Sequence, residues 1–328
     1  MKDLHRGLLV ALMFAFIAAA STTTAGAASS TLATIRTRGL LTCGVIQEDA
    51  EYSTDDDHGS RGQFDADICM AIAAASTGQK AAVNLVTFLD SETAAAALRV
   101  GKVDVIASIG TDPTRLNTAD LRFTQPILMD GVGFLVPRSK RFNSVRDLAS
   151  RKICFLAETE VEVRLRAWFE QRHLDLLPFP FQEEGEMEAA YITNNCAALA
   201  GDVTRLMNTW ISFGSVAKDY TLLPDVVSSD PLAVATSSSD AAWSEIVGKV
   251  VELLIASENA GVTLANLKAI KTTGSPTAKR LFEAARGSAT RLGLESEWAA
   301  NMLKSTGNLE EIYERTYGEK MKVVLPPG

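Results

Sequence analysis

Apolar residues recur along this chain with two alternating periods. Short apolar runs at residues 40–45, 103–109 and 132–136 have the length and β-branched content of buried strands. Between them, Phe64, Ile68, Ala71, Ile72 and Ala75 fall on one face at helical spacing, which predicts a helix over residues 64–75. Asp90-Ser91-Glu92 has the chemistry of a helix start, and Gly101 that of its left-handed stop. A second block repeats the scheme, with strands predicted at 152–156, 196–200 and 220–223. Its helices are predicted at 161–173, with Val161, Leu165, Trp168 and Phe169 along the buried stripe, and at 203–213. A short strand at 232–235 reads as a return to the first block. From Ala241 onward the pattern is helical, led by Trp243, Ile246, Val247, Val250, Val251 and Leu254. Strands alternating with helices in two blocks predict an α/β chain of two units.

The first residues follow neither period. Lys2 and Arg6 precede an apolar stretch over 8–20, and small residues follow up to Ala25-Gly26-Ala27. A basic start, a short apolar core and an A-x-A-like end predict a secretory signal peptide at 1–27, cleaved before Ala28. The stretch falls short of the roughly 20 apolar residues that a membrane span requires. The mature protein is therefore expected in the periplasm, soluble and without a cofactor.

Composition narrows the functions further. Hydrophobic residues make up 47% of the chain, enough for substantial cores. The formal charge is −8, and it becomes −9 once the signal takes Lys2, Arg6 and Asp3 with it. An acidic protein repels phosphate backbones at long range, which argues against nucleic acid as a partner. Four cysteines, Cys43, Cys69, Cys154 and Cys196, allow three pairings, and an oxidising compartment makes disulfides the expectation. Proximity in sequence favours Cys43 with Cys69 and Cys154 with Cys196. With no C-x-x-C pair, and with His58 and His173 the only histidines after the signal, no metal site is expected.

Several runs are more specific in combination than singly. They are Leu41-Thr42-Cys43-Gly44-Val45, Phe64-Asp65-Ala66-Asp67-Ile68-Cys69 and Gly101-Lys102-Val103-Asp104-Val105-Ile106, followed by Asp130-Gly131-Val132-Gly133-Phe134, Asp230-Pro231-Leu232, Gly293-Leu294 and Glu314-Arg315. With the four cysteines, their order and spacing over about residues 31–315 resemble the family-3 amino-acid solute-binding proteins of ABC importers, and most of all the general L-amino-acid-binding periplasmic proteins. The resemblance implies the two-lobed periplasmic-binding-protein (flytrap) fold with two hinge strands, near 130–137 and 228–235. Lobe one would combine 28–133 with 234–328, and lobe two would be 137–229. A monomer would capture an amino acid or amine between the lobes and present it to the ABC permease subunits in the membrane.

The same resemblance implies a set of ligand contacts. Arg115 matches the residue that grips a ligand α-carboxylate, a task suited to the planar two-pronged guanidinium. Ser108 matches a ligand contact, and Gly110 offers backbone alone where many relatives carry a hydroxyl. Asp202 matches the lobe-two carboxylate that receives the ligand ammonium, although a residue between a strand and a helix is also a plain helix cap. Tyr52 matches an aromatic lining the cleft. Relatives carry Gly-Thr-Thr where this chain has Glu158-Thr159-Glu160, so Thr159 is retained but Glu160 replaces a donor with an acceptor. Asp49 stands where some relatives place an aromatic. Two carboxylates about 4 Å apart repel by roughly 4 kcal/mol at an effective dielectric near 20, about a thousandfold in affinity. Glu160 turned to solvent, a cationic ligand, or Glu160 paired with Arg115 would each relieve that conflict.

Other motifs carry less. Asp55-Asp56-Asp57-His58-Gly59 suggests a calcium loop, but its twelfth position is Ala66 rather than the bidentate Glu. Ser215-Val216-Ala217-Lys218 has S-x-x-K spacing without an S-D-N partner. Two alternatives to transport remain on sequence grounds: a dehydratase-like enzyme on the same fold with Glu160 as general acid, and a ligand-free adaptor. The site as read here predicts that common neutral amino acids bind weakly or not at all. Calorimetric titration of the mature protein checks this, and a tight isotherm with any of them contradicts it.

Overall fold

Two five-stranded sheets share one plan, and the chain leaves the first for the second at a single glycine. The computed structural model describes residues 29–46, 59–78, 81–114 and 116–318, without the side chains of 59–61 and 271. Before the crossing lie α1 (Ser30–Arg38), β1 (Leu41–Ile46), α2 (Gly59–Thr77), β2 (Val83–Phe88), α3 (Ser91–Arg99), β3 (Val105–Gly110) and β4 (Leu121–Asp130). The second unit comprises β5 (Val132–Pro137), β6 (Lys152–Leu156), α4 (Glu160–Gln171), β7 (Leu177–Phe181), α5 (Glu184–Ile192), β8 (Ala198–Asp202), α6 (Val203–Ser212) and β9 (Tyr220–Leu222). The chain then returns through β10 (Asp230–Ser237) to α7 (Ala241–Asn259), α8 (Ile270–Thr273), α9 (Pro276–Leu292), α10 (Trp298–Thr306) and α11 (Leu309–Thr316).

The first sheet runs β2-β1-β3-β10-β4 and the second β7-β6-β8-β5-β9. In each, a parallel trio meets an antiparallel strand that immediately follows a crossing: β5 lies beside β8, and β10 beside β3. Parallel strands are covered by helices on both faces, which explains why β1 is buried at all six positions and reads as a continuous apolar run.

The crossings hold each other. Gly131 has φ 152°, and a Cβ there would lie 2.0 Å from the carbonyl oxygen of Ser228 on the returning chain. Beside it, the Val132 N–H donates to Ser228 Oγ at 3.0 Å and the Val227 N–H donates to the Val132 carbonyl at 2.8 Å. Only glycine combines that φ with so close a backbone approach. Val132–Pro137 is wholly a strand of the second sheet, so the link between sheets is shorter than hinge strands over 130–137 would make it.

Both disulfides tie a strand to a neighbouring segment of its own sheet's unit. Cys43 on β1 joins Cys69 on α2, with Cα atoms 6.1 Å apart, and Cys154 on β6 joins Cys196 ahead of β8 at 5.7 Å. This is the pairing that proximity favours. With separations of 26 and 42 residues, the chain-entropy model gives each about 3–4 kcal/mol. The apolar core is continuous between units, with Ile68 and Ile72 of α2 in the same buried cluster as Leu206 and Met207 of α6. At the amino end, Asp240 caps α7 through the Trp243 N–H and also accepts from Ser29 Oγ and the Thr31 N–H. Burial opposes ionisation of Asp240, but these donors outweigh it and hold its carboxyl down at about 2.

Replacing Gly131 with alanine should destabilise the protein by about 3 kcal/mol or more, because backbone on both crossings would have to move. Urea denaturation of the variant measures this, and a loss below about 1 kcal/mol contradicts so tight a crossing.

Candidate functional site

At the carboxyl ends of β6 and β8, the chain turns directly into α4 and α6. A cavity of about 220 Å³ opens there. Its lining is apolar at Leu156, Val161, Met187, Leu199 and Leu206, and polar at Thr159, Glu160, Glu184, Asp202, Arg205 and Thr209. Three residues expected from sequence to meet the ligand, Thr159, Glu160 and Asp202, are thus brought together.

The turn into α4 departs from a glycine-led one. Glu158 adopts φ 60°, a left-handed conformation uncommon for a residue with a side chain, and its N–H donates to Glu162 Oε2 at 3.0 Å. That bond, with the Arg166 guanidinium beside it, holds the Glu162 carboxyl below its ordinary range. Thr159 donates its hydroxyl to the Leu156 carbonyl at 2.8 Å, tightening the turn, and makes no side-chain cap to α4. Glu160 is the first residue of α4, and its side chain is 52% exposed. One turn later, Arg164 Nε lies 3.6 Å from Glu160 Oε2, while Arg164 Nη2 lies 3.5 Å from Asp112 Oδ2. Asp112 belongs to the loop after β3 and also accepts from the Thr114 N–H and hydroxyl. Arg164 therefore spans from the second unit to the first.

The start of α6 is built differently. Asp202 occupies the N-cap position by backbone conformation, yet its side chain makes no cap bond to the helix. The Val203 N–H instead donates to the Gly131 carbonyl at 2.9 Å, and the Thr204 N–H to Asp130 Oδ1 at 3.3 Å. Thr204 Oγ1 donates to Asp130 Oδ2 at 2.5 Å, and the Gly131 N–H to Asp130 Oδ1 at 2.8 Å. The crossing itself caps this helix. The Asp202 carboxylate is thereby held at the cavity's edge beside the positive end of α6.

Farther along, Arg205 meets Glu184 of α5 in a two-pronged pair, Nε to Oε1 and Nη2 to Oε2, both at 2.8 Å. Thr209 Oγ1 donates to Glu188 Oε1 at 2.8 Å. Burial pushes the Glu188 carboxyl up, Thr209 opposes the shift and the charge of Glu184 adds to it.

Of the residues expected in the first unit, Ser108 and Gly110 are described and are not among those lining this cavity. Ser108 is fully buried in β3, and its hydroxyl donates to Asp65 Oδ1 at 2.6 Å. Gly110 faces Asp230, whose Oδ1 would stand 3.1 Å from a Cβ at that position. Arg115, Tyr52 and Asp49, like the Asp55–His58 run, lie outside the described residues. Sequence reasoning assigned no role to Asp130, Arg164, Glu184 or Arg205. The Glu160–Arg164 spacing of four was a readable helix-pair signal; the partners Asp112 and Asp130 come from distant sequence and gave none.

Similarity to known proteins covers nearly the whole chain. The family model for bacterial extracellular solute-binding proteins, family 3, matches residues 41–319. The general L-amino acid-binding periplasmic protein of Rhizobium johnstonii is 30% identical over 305 residues, 92% of this chain and 89% of that protein. The glutamate/glutamine/aspartate/asparagine-binding protein of Rhodobacter capsulatus is 28% identical over 317 residues, 96% and 93% of the two chains. The structure of an ABC transporter/periplasmic binding protein from Brucella ovis with glutathione bound is similar at a TM-score of 0.71 and 28% identity, over 90% of this chain and 93% of that one.

Arg164→Gln should loosen the contact between the units. A partly exposed pair contributes about 0.5–1 kcal/mol and is screened by salt, so ligand dissociation should speed up two- to fivefold at low salt and little at 1 M. Stopped-flow dissociation at both salts measures this, and an unchanged low-salt rate contradicts the bridge.

Proposed function

The chain belongs to the bacterial extracellular solute-binding proteins, family 3, and from that premise we propose that it captures an amino-acid-like solute whose ammonium group rests on Asp202. Two lobes, one around each sheet, close over the solute and present it to the permease of an ABC importer. The protein works as a monomer in the periplasm, exported by residues 1–27; among the described residues no helix is long and apolar enough to cross a membrane.

The observation that carries this reading is the capping of α6 by Asp130 and Gly131 instead of by Asp202. A carboxylate at a helix start ordinarily satisfies that helix's first N–H groups. Here another residue performs that task, and Asp202 borders a cavity lined by both apolar and polar side chains, the mixture ligand sites have. An acceptor-only group in that position is complementary to an ammonium. The similarity to periplasmic proteins that bind L-amino acids supports the same ligand chemistry. The first lobe supplies the carboxylate grip through Arg115. Glu160, with the Arg164 guanidinium at 3.6 Å, does not stand as a lone charge against a ligand carboxylate. The enzyme reading, with Glu160 as a desolvated acid, loses its basis in that half-exposed, ion-paired position.

A thermal-shift screen of L-amino acids, diamines and glutathione identifies ligands, since saturation at 100 times Kd adds about 2.7 kcal/mol of stability. For a confirmed ligand, Asp202→Asn should weaken binding about ten- to a hundredfold, from the about 1.5–3 kcal/mol of a charge-assisted hydrogen bond. Isothermal titration measures it. Equal affinity in the variant removes Asp202 from the site.

A further inference from the structure

The end of the second sheet away from the cavity carries a charge pattern of its own. β6, β7 and β8 run parallel to one another and antiparallel to β5, which also pairs antiparallel with β9. The end of β5 and the starts of β6, β7, β8 and β9 therefore share one pole of the unit, while the cavity lies at the carboxyl ends of β6 and β8. Residues 138–152, which carry the chain from β5 into the first position of β6, hold six cations: Arg138, Lys140, Arg141, Arg146, Arg151 and Lys152. All six are exposed. Among the described residues none of them forms an ion pair. Arg172 at the end of α4 and Lys218 just ahead of β9 are exposed at the same pole.

The neighbouring acids are Asp147, Glu170, Asp175, Asp219 and Asp225. Three are engaged locally: Asp147 by the Asn143 and Ser144 N–H groups, Asp225 by the Val145 N–H, and Asp175 by the Ser150 hydroxyl. The eight cations named outnumber these five acids, so the pole is positive in a chain of formal charge −8.

A cationic surface alone is commonly no more than solvated. This pole also exposes large apolar side chains. Leu177 at the start of β7 is 44% exposed, Ile192 at the end of α5 48%, Ile211 near the end of α6 44%, and Val216 in the segment leading to β9 48%. The five strand ends, from β7 to β9, span about 19 Å at about 4.8 Å per interval. A folded acidic partner would have to match each of these positions. A fluid layer of anionic headgroups rearranges to meet long-armed cations, and its boundary accepts apolar side chains among them. At 0.1 M salt the screening length is about 10 Å, so such a layer senses this pole more than the acidic remainder of the chain.

We propose that this pole binds reversibly to anionic phospholipid headgroups and holds the protein at a membrane surface with its cavity at the far end of the lobe. The assignment of Asp202 is not needed for it.

The test is co-sedimentation of the mature protein with vesicles of phosphatidylglycerol and phosphatidylethanolamine in equal parts, against vesicles of phosphatidylcholine, at 0.1 M and 1 M salt. Partition onto the anionic vesicles should exceed that onto the neutral ones by about tenfold or more at 0.1 M and fall by about tenfold or more at 1 M, where the screening length is about 3 Å. A cation near an anionic surface contributes about 1 kcal/mol, which is about fivefold, so Lys140→Gln with Arg151→Gln should weaken partition about twenty-fivefold. Lys268→Gln with Arg280→Gln removes the same charge from exposed positions of the first unit and should leave partition nearly unchanged. Equal partition onto both kinds of vesicle, or equal loss from both pairs of substitutions, overturns the proposal. Binding to soluble polyglutamate without partition onto anionic vesicles overturns it in favour of an acidic protein, and binding to neither overturns it outright.

Discussion

Asp130 ends β4 in the first sheet and, with its two oxygens, accepts the Gly131 N–H, the Thr204 N–H and the Thr204 hydroxyl. These bonds join the crossing to the first turn of α6 in the second unit. The carboxylate is buried, where an unpaired charge is costly and a multiply bonded one is anchored. Gly131 makes the geometry attainable, since its missing side chain lets the two crossings touch. The orientation of α6 relative to the first sheet therefore follows from a contact between the strand that leaves one lobe and the helix that lines the other. A hinge wired this way couples lobe position to site geometry.

The second consequence is electrostatic. The polar rim of the cavity holds Glu160, Glu184 and Asp202 against Arg205, and an acidic rim alone would repel any solute bearing a carboxylate. The structure divides those charges. Glu184 is matched by Arg205 and Glu160 has Arg164 beside it, with Asp112 of the other unit drawn to the same guanidinium. Asp202 differs from them in standing at the mouth of α6 without serving that helix. Pairing of Glu160 and Glu184 with arginines lowers the net negative charge along the cavity lining.

Much of the fold was legible because buried parallel strands and one-sided helices carry strong periodic signals. Lys152–Leu156 was readable to the residue, and β1, α6 and β10 to within two residues at each end. The strands without a signal are edge strands. In β7, Leu177–Phe181, prolines 178 and 180 would break a central strand, but β7 pairs on one side alone, with β6, and prolines two residues apart leave their missing N–H groups toward the open edge. Pro126 and register shifts against β10 hide β4 in the same way. Among the residues lining the cavity, Thr159, Glu160 and Asp202 were named from the resemblance. Asp130 was quoted in a motif without a role, because its partner, Thr204, is 74 residues away and no local pattern joins them. Ser108 was named because it matches a ligand-contact position in the resemblance, and its hydroxyl donates to Asp65, a partner 43 residues away that no local pattern signals.

The central claim is that Asp130 caps α6 so that Asp202 can serve the ligand. Calorimetric affinity of an Asp130→Ala variant, folded as judged by its circular dichroism, tests this most directly. With the cap lost, Asp202 should turn to its own helix, an exchange of about 1–2 kcal/mol, and affinity should fall roughly tenfold although Asp130 does not line the cavity. Undiminished affinity in a folded Asp130→Ala protein would contradict the account.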